Sequence, residues 1–329
     1  MTVGWGDLAA AISGVYNFRH AVLTVRGTWG ALGTQYPSNT VNGLAQYVND
    51  GLVYEVPVDY PATFGPVGGP ITAESYQQSV NKAEIWIADW LGRNQTRTFI
   101  LGGYSQGAEV VSRIAIQLMG GDLARYLPNF VGGYTFGNPC RGAGFHAPTI
   151  ADPSGRGISA VNMTTLPTVN GQVVWADYVH SPANGDLGLD MYASVPTNQA
   201  GKDMTDVYTS ATNAQLNDLG ALSQDIVSTL VAAAQDLGGV PKVDGDLTDM
   251  LGNPLELITL LEGALAGSRP IGVQAAIEAA IDGIKFLAAP GGPTAPHISY
   301  LAEIGGYSNL VADAVGWLNH IATLTPARV

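Results

Sequence analysis

The sequence predicts an α/β architecture in which a parallel sheet is covered by helices on both faces and carries a further, all-helical segment. Three observations predict it. Short apolar runs that end in turns containing glycine or proline alternate with stretches whose apolar residues recur at helical spacing. One run, residues 98–101, breaks into Gly103-Tyr104-Ser105-Gln106-Gly107 and resumes as a helical pattern. From about residue 212 to residue 290, three amphipathic patterns follow one another with no strand signal between them, which does not extend a parallel sheet.

Taken in order, residues 21–25 read as a buried strand stopped by Arg26-Gly27-Thr28-Trp29-Gly30. Residues 52–58 form a second strand, and Pro57 suggests a place near the sheet edge because proline donates no ladder hydrogen bond. A loop rich in glycine and proline spans 61–70. Tyr76, Val80, Ala83, Ile87 and Trp90 then follow at spacings of 4, 3, 4 and 3, the stripe of a helix laid on a sheet. The elbow strand leads into a helix over 106–120, with Ala108, Val111, Ala115 and Leu118 on one face. Residues 130–136 and 173–178 read as further strands.

The helical patterns are Leu219, Leu222, Ile226, Leu230, Ala233 and Leu237; Leu255, Ile258, Leu261 and Leu265; and Val273, Ile277, Ile281 and Ile284. A last helix is expected over roughly 308–323. The chain therefore divides into an N-terminal extension (1–20), a core (21–199 with 291–329) and a helical insertion (200–290) acting as a cap or linker.

Composition narrows the functional classes. With 329 residues and 46% hydrophobic content the chain can bury a large core. Only 12% of residues are charged and the formal net charge is −13, so nothing is built to neutralise phosphates, and no nucleic-acid partner is expected. Cys140 is the single cysteine, which excludes an intrachain disulfide. Arg19 is the first positive charge, too late for the basic start of a secretory leader, and no apolar run approaches a membrane span. A chain made in a cytoplasm is expected, so the glycosylation patterns at Asn94 and Asn162 read as coincidental. There is no H-E-x-x-H motif and no cysteine cluster, and no metal or organic cofactor is expected.

The chemistry centres on the elbow. In a strand–turn–helix of this kind the serine hydroxyl is lifted above the sheet edge, glycines on either side let backbone pass, and the helix N-terminus faces the developing oxyanion. Because the chain has 42 glycines the pattern alone is weak, and its context between strand and helix makes Ser105 the candidate nucleophile of an α/β-hydrolase. The turn after the first strand is where such folds place a second oxyanion donor, which nominates Thr28.

A serine needs an imidazole base and an acid that orients it, in the chain order serine, acid, histidine. Of the five histidines, His20 precedes the serine and His320 sits in the last helix. His297 is late, on a loop and beyond the insertion, and is the expected base; His146 and His180 are fallbacks with structural roles read first. Asp177, Asp186 and Asp190 all follow the last clear strand, and their positions alone do not choose among them.

Tyr104-Ser105-Gln106-Gly107-Ala108, the Gly137-Asn138-Pro139 turn, Asp190-Met191-Tyr192-Ala193-Ser194 and Pro296-His297 resemble the mycobacteriophage lysin B family, relatives of the cutinases. The resemblance runs from about residue 20 to the end and includes the insertion between acid and histidine. It implies Ser105 as nucleophile, Asp190 as acid and His297 as base, with an oxyanion hole from the Gln106 backbone N–H and Thr28. The loop 183–189 before Asp190 is long for the family, and the peptidoglycan-binding domain that some members carry at their N-terminus is not found here. The implied function is a serine esterase that cleaves the ester between mycolic acids and arabinogalactan in the mycobacterial cell wall. Such a protein is synthesised in the host cytoplasm and acts on the host envelope at phage-induced lysis. The alternatives are a general lipase or cutinase-like carboxylesterase and, from another class, a non-catalytic envelope-binding protein on a hydrolase fold.

Overall fold

The computed structural model describes residues 18–64, 73–212, 219–236, 254–265, 270–292 and 294–329. Its centre is a five-stranded parallel sheet made of β1 (His20–Val25), β2 (Val53–Pro57), β3 (Phe99–Tyr104), β4 (Phe130–Phe136) and, after a short hairpin of β5 (Thr168–Val169) and β6 (Gln172–Val173), β7 (Trp175–Tyr178). The order is β2-β1-β3-β4-β7, with Ala21 opposite both Tyr54 and Phe99, and Gly133 opposite Trp175. In β1, β3, β4 and β7 every residue is buried, as expected of strands covered on both faces. Strand β2, which contains Pro57, lies at the edge and is mostly half-buried.

Helices α1 (Gln35–Tyr47) and α8 (Leu310–Thr323) pack together on one face. Helices α2 (Tyr76–Arg93) and α3 (Gln106–Gly120) cover the other. The α2 stripe of Tyr76, Val80, Ala83, Ile87 and Trp90 is buried. A capping box starts that helix: Ser75 Oγ accepts from the Gln78 N–H, and the Gln78 side chain accepts from the Ser75 N–H. The two bonds satisfy donors that a helix start leaves orphaned, at about 1 kcal/mol for the cap.

Three features depart from the sequence reading. Helix α1 was not anticipated: Pro37, Asn39, Thr40, Asn42 and Gly43 dilute its pattern, although Tyr36, Pro37, Val41 and Leu44 are buried. The expected strand over 173–178 is split, because Val173 belongs to the exposed hairpin while Trp175–Tyr178 alone joins the sheet. A helix, α4 (Gln199–Thr212), also precedes the three amphipathic patterns.

Those patterns fall on α5 (Leu219–Asp236), α6 (Pro254–Leu265) and α7 (Ile271–Leu287). Helix α7 is the hub, touching α4, α5 and α6. It crosses α5 so closely that a Cβ at Gly283 would meet Val227 Cγ2 at 2.8 Å. Aromatic residues tie the segment to the sheet domain: the Tyr208 hydroxyl donates to the Tyr76 hydroxyl at 3.1 Å, and Tyr208 and Phe286 both pack edge-on to Tyr192, at 6.2 and 5.7 Å. Residues 1–17 of the extension, 65–70 of the glycine- and proline-rich loop, and Leu237 lie outside the described residues. Among the described residues no helix is long and apolar enough to cross a membrane.

Candidate active site

Strand β3 delivers Ser105 to the carboxyl edge of the sheet with φ +55° and ψ −120°, a conformation that L-residues rarely adopt. The surroundings leave the serine no alternative. Its N–H donates to Phe136 O at 3.0 Å, and its carbonyl accepts from the Ala108 and Glu109 N–H groups as α3 begins. A Cβ at Gly103 would lie 2.5 Å from Gly107 O, and one at Gly107 only 2.1 Å from Val25 O, so both flanking glycines are sterically required. Ser105 occupies the cap position of α3 without capping it. Its Oγ instead lies 2.9 Å from Nε2 of His297.

His297 ends a single tight turn, Ala295–His297, entered through Thr294 at φ +68°. Its ring is fully buried between Tyr104 and Tyr192, with centroids at 5.2 and 4.6 Å, and the Tyr104 hydroxyl donates to its carbonyl at 2.9 Å. Nδ1 lies 2.8 Å from Oδ2 of Asp190. That carboxylate is itself fully buried, and its two oxygens are satisfied separately. Oδ1 accepts from the Tyr192 N–H at 3.0 Å, and Oδ2 accepts from the Tyr300 hydroxyl at 2.6 Å. Gly137, at φ +56°, is the floor beneath the pair: a Cβ there would come within 2.6 Å of the His297 ring and 2.8 Å of Asp190 Oδ2.

The other acids are engaged elsewhere. Asp177 accepts from Thr135 Oγ1, Asn138 Nδ2 and Trp175 Nε1 in a buried knot between β4 and β7. Burial pushes its carboxyl up, against the hydrogen bonds that favour the charged form. Asp186 accepts from the Ser181 N–H and from the N–H and hydroxyl of Ser308, and lies 3.0 Å from His180 Nδ1. Burial pushes that carboxyl up, but His180, Ser181 and Ser308 outweigh burial and hold it below the usual range. His180 is buried and stacks on Tyr300 at 4.6 Å. His146 is half-buried, with Nδ1 2.8 Å from Ala147 O. His20 lies between Thr98 Oγ1 and Ala322 O at the start of β1, and His320 lies against Trp317 in α8.

The turn after β1 lies against the serine: a Cβ at Gly27 would stand 3.1 Å from Ser105 Cβ. Its amides are almost all taken. Gly27 donates to Gln35 Oε1, Trp29 to Ala62 O and Gly30 to Gly27 O. The Thr28 N–H is left with no partner among the described residues, as is the Gln106 N–H at the start of α3. Arg26 braces the turn by donating to Gly30 O, Val58 O and Tyr60 O, while Tyr60 donates back to Arg26 O. The Gln106 side chain is buried, donating to Thr63 O and accepting from Ser79 Oγ. Thus the structure brings Ser105, His297, Asp190, Thr28 and Gln106 to one place. It adds Tyr300, Arg26 and Gln35, for which the sequence carried no pattern beyond their proximity to the motifs.

A hydroxyl bonded to an imidazole, bonded in turn to a buried carboxylate, beside two unpaired amides, can carry out nucleophilic acyl transfer. Among the described residues no group of three or more His, Cys, Asp or Glu is placed to hold a metal.

The elbow lies within a recognisable sequence family segment. Residues 53–169 match the PE-PPE domain family. The PE-PPE match spans β2 to the first strand of the hairpin and includes Ser105, while Asp190 and His297 lie beyond it. Among solved structures the chain is similar to lysin B from mycobacteriophage D29, at 23% identity over 92% of this chain and 99% of that one, with a TM-score of 0.45. It is also similar to the catalytic core domain of acetyl xylan esterase from Trichoderma reesei, at 19% identity over 61% and 100%, TM-score 0.35. A cutinase-like protein from Cryptococcus sp. is similar at 19% identity over 65% and 94%, TM-score 0.32. No curated protein matches the chain. The parallel sheet, its order and the strand–elbow–helix unit are those of an α/β-hydrolase-like fold.

Proposed function

We propose that this chain is a serine esterase that cleaves long-chain acyl esters through an acyl-enzyme, with Ser105 as nucleophile, His297 as base and Asp190 as the acid that orients it. The observation that carries the reading is the continuous chain of contacts, 2.9 Å from Ser105 Oγ to His297 Nε2 and 2.8 Å from Nδ1 to Asp190 Oδ2. Both lie beside the unpaired Thr28 and Gln106 amides. His297 takes the serine proton as Oγ attacks the ester carbonyl, and the two amides receive the oxyanion. The imidazolium, steadied by Asp190, returns the proton to the leaving alcohol. Water activated by the same imidazole then releases the carboxylic acid and restores the serine.

The substrate we propose is the ester joining mycolic acids to arabinogalactan, cleaved at the host envelope during phage-induced lysis. The motif resemblance to the lysin B family supports that choice. Residues 200–290 are then a cap whose apolar helices shelter an acyl chain from water. The test is to incubate the chain and its Ser105→Ala variant with delipidated mycobacterial cell wall and assay free mycolic acids. Release by the unmodified chain alone is expected. Hydrolysis of nitrophenyl esters without release would replace this substrate by those of a general carboxylesterase, and inactivity in both assays would leave a binding protein.

A further inference from the structure

A cavity of about 880 Å³ lies on the far side of the loop that carries Asp190. Leu187, Leu189 and Met191 of that loop line it, together with Ile258 of α6, Phe286 of α7 and Pro290 beyond that helix. Neither Ser105 nor His297 lines it. Leu189 and Met191, on either side of Asp190, line the cavity, while the Asp190 carboxylate lies against His297.

The volume is within the roughly 300–1,000 Å³ of small-molecule sites, and the walls are mainly apolar, as in such sites. The charged groups around it are unbalanced. Among the described residues that line it, Asp152, Glu262 and Asp282 bring carboxylates and Lys285 an ammonium. Lys285 is already committed, with Nζ 3.7 Å from Glu262 Oε1. Asp282 is half-buried and has no hydrogen-bond or ion-pair partner among the described residues. Burial pushes its carboxyl up, and the neighbouring Lys285 offsets that rise only in part.

We propose that this cavity is a second binding site, separate from the space above Ser105, for an amphiphile with an alkyl body and a cationic head that pairs with Asp282. Apolar walls hold the chain and the surplus of carboxylates selects its head. The same surplus rejects a fatty carboxylate, so the product of ester cleavage does not occupy this site. The proposal concerns binding alone and stands whether or not the chain is an esterase.

The test uses the full chain carrying Ser105→Ala. It is titrated with N-phenyl-1-naphthylamine, an uncharged apolar fluorophore, and the bound probe is displaced with dodecyltrimethylammonium or with dodecanoate, both below their micelle concentrations. One probe per chain is expected, with the ammonium displacing it at a concentration roughly tenfold lower than the carboxylate. Asp282→Asn should bring the two amphiphiles to near parity while leaving probe affinity unchanged. Ala288→Trp, at an exposed position on the cavity mouth, should abolish probe binding; if that variant does not fold, Asp282→Asn decides alone. Equal displacement by the two amphiphiles before any change at Asp282 would overturn the proposal, as would unchanged binding by a folded Ala288→Trp. So would loss of the probe when a bulky phosphonate is attached to Ser105 of the native chain, since that would put the probe in the catalytic cleft.

Discussion

The Tyr300 hydroxyl donates to the same oxygen of Asp190 that faces Nδ1 of His297, at 2.6 Å against 2.8 Å. Tyr300 is fully buried, and burial followed by the adjacent Asp190 charge keeps its hydroxyl protonated far beyond neutral pH. It therefore remains a donor throughout the working range, sharing the carboxylate's negative charge with the imidazole. Replacing it with phenylalanine leaves that charge to His297 alone, which stabilises the imidazolium. The acid limb of the kcat/KM profile of Tyr300→Phe should move to higher pH, with a loss of less than about tenfold on the alkaline plateau. A purely structural tyrosine would lower the plateau without moving the limb.

Ser105→Ala should retain the fold, because Phe136 O and the α3 amides hold residue 105 through backbone atoms alone. Ester hydrolysis should fall by about 10⁴-fold or more, as for removal of a triad nucleophile. Circular dichroism and nitrophenyl ester kinetics on one preparation check both halves.

The three acids should separate cleanly on mutation. Asp190→Asn leaves the shape intact but presents an amide where Nδ1 needs an acceptor in a fixed orientation, so kcat should drop by about 10³–10⁴-fold. Asp177→Asn and Asp186→Asn should keep kcat within a few-fold in the fraction that folds, since neither carboxylate bonds to Ser105, His297 or Asp190. Steady-state kinetics with active-site titration distinguishes the cases.

Asp186 also gives a signed pH dependence. Its folded carboxyl lies below the ordinary value of about 3.9, so the stability it contributes is present above that value and is lost as pH falls through the lower, folded one. The urea midpoint of Asp186→Asn should lie below that of the unsubstituted chain at pH 7, by the equivalent of about 1–3 kcal/mol. The gap should close towards pH 3. A gap that widened on acidification would contradict the assignment.

At Gly27, an added Cβ would meet Tyr104 Cδ1 at 2.9 Å and Ser105 Cβ at 3.1 Å. Gly27→Ala should therefore push the Thr28 turn away from the serine. If the Thr28 amide receives the oxyanion, kcat should fall by about 10- to 100-fold with little change in KM. A change confined to KM would assign the turn to substrate binding instead.

The elements that position the site were legible where local chemistry and tertiary context agree. The elbow could be read because glycines at 103 and 107 and a strand-to-helix switch are needed together, and steric contacts at both glycines account for that need. Strand β2 was readable as an edge through Pro57. Helix α1 was not readable, since its buried stripe is interrupted by residues with weak helix preference and its stability comes from packing against α8 and the sheet. Spacing alone does not choose among the acids: Asp177 lies in β7, Asp186 and Asp190 follow it within a few residues, all three are buried, and what differs is the side chains folded around each. Tyr300 lay three residues from His297 in plain view, but an aromatic beside a histidine has no distinguishing pattern.

The central claim, that Ser105 is a nucleophile raised by His297 and Asp190, is tested most directly by intact-protein mass spectrometry after reaction with a long-chain nitrophenyl phosphonate. One adduct per chain is expected, mapped to Ser105, with loss of nitrophenolate, no adduct in Ser105→Ala, and labelling greatly slowed in His297→Ala. An adduct on another residue, or equal labelling of the Ser105→Ala chain, would contradict it.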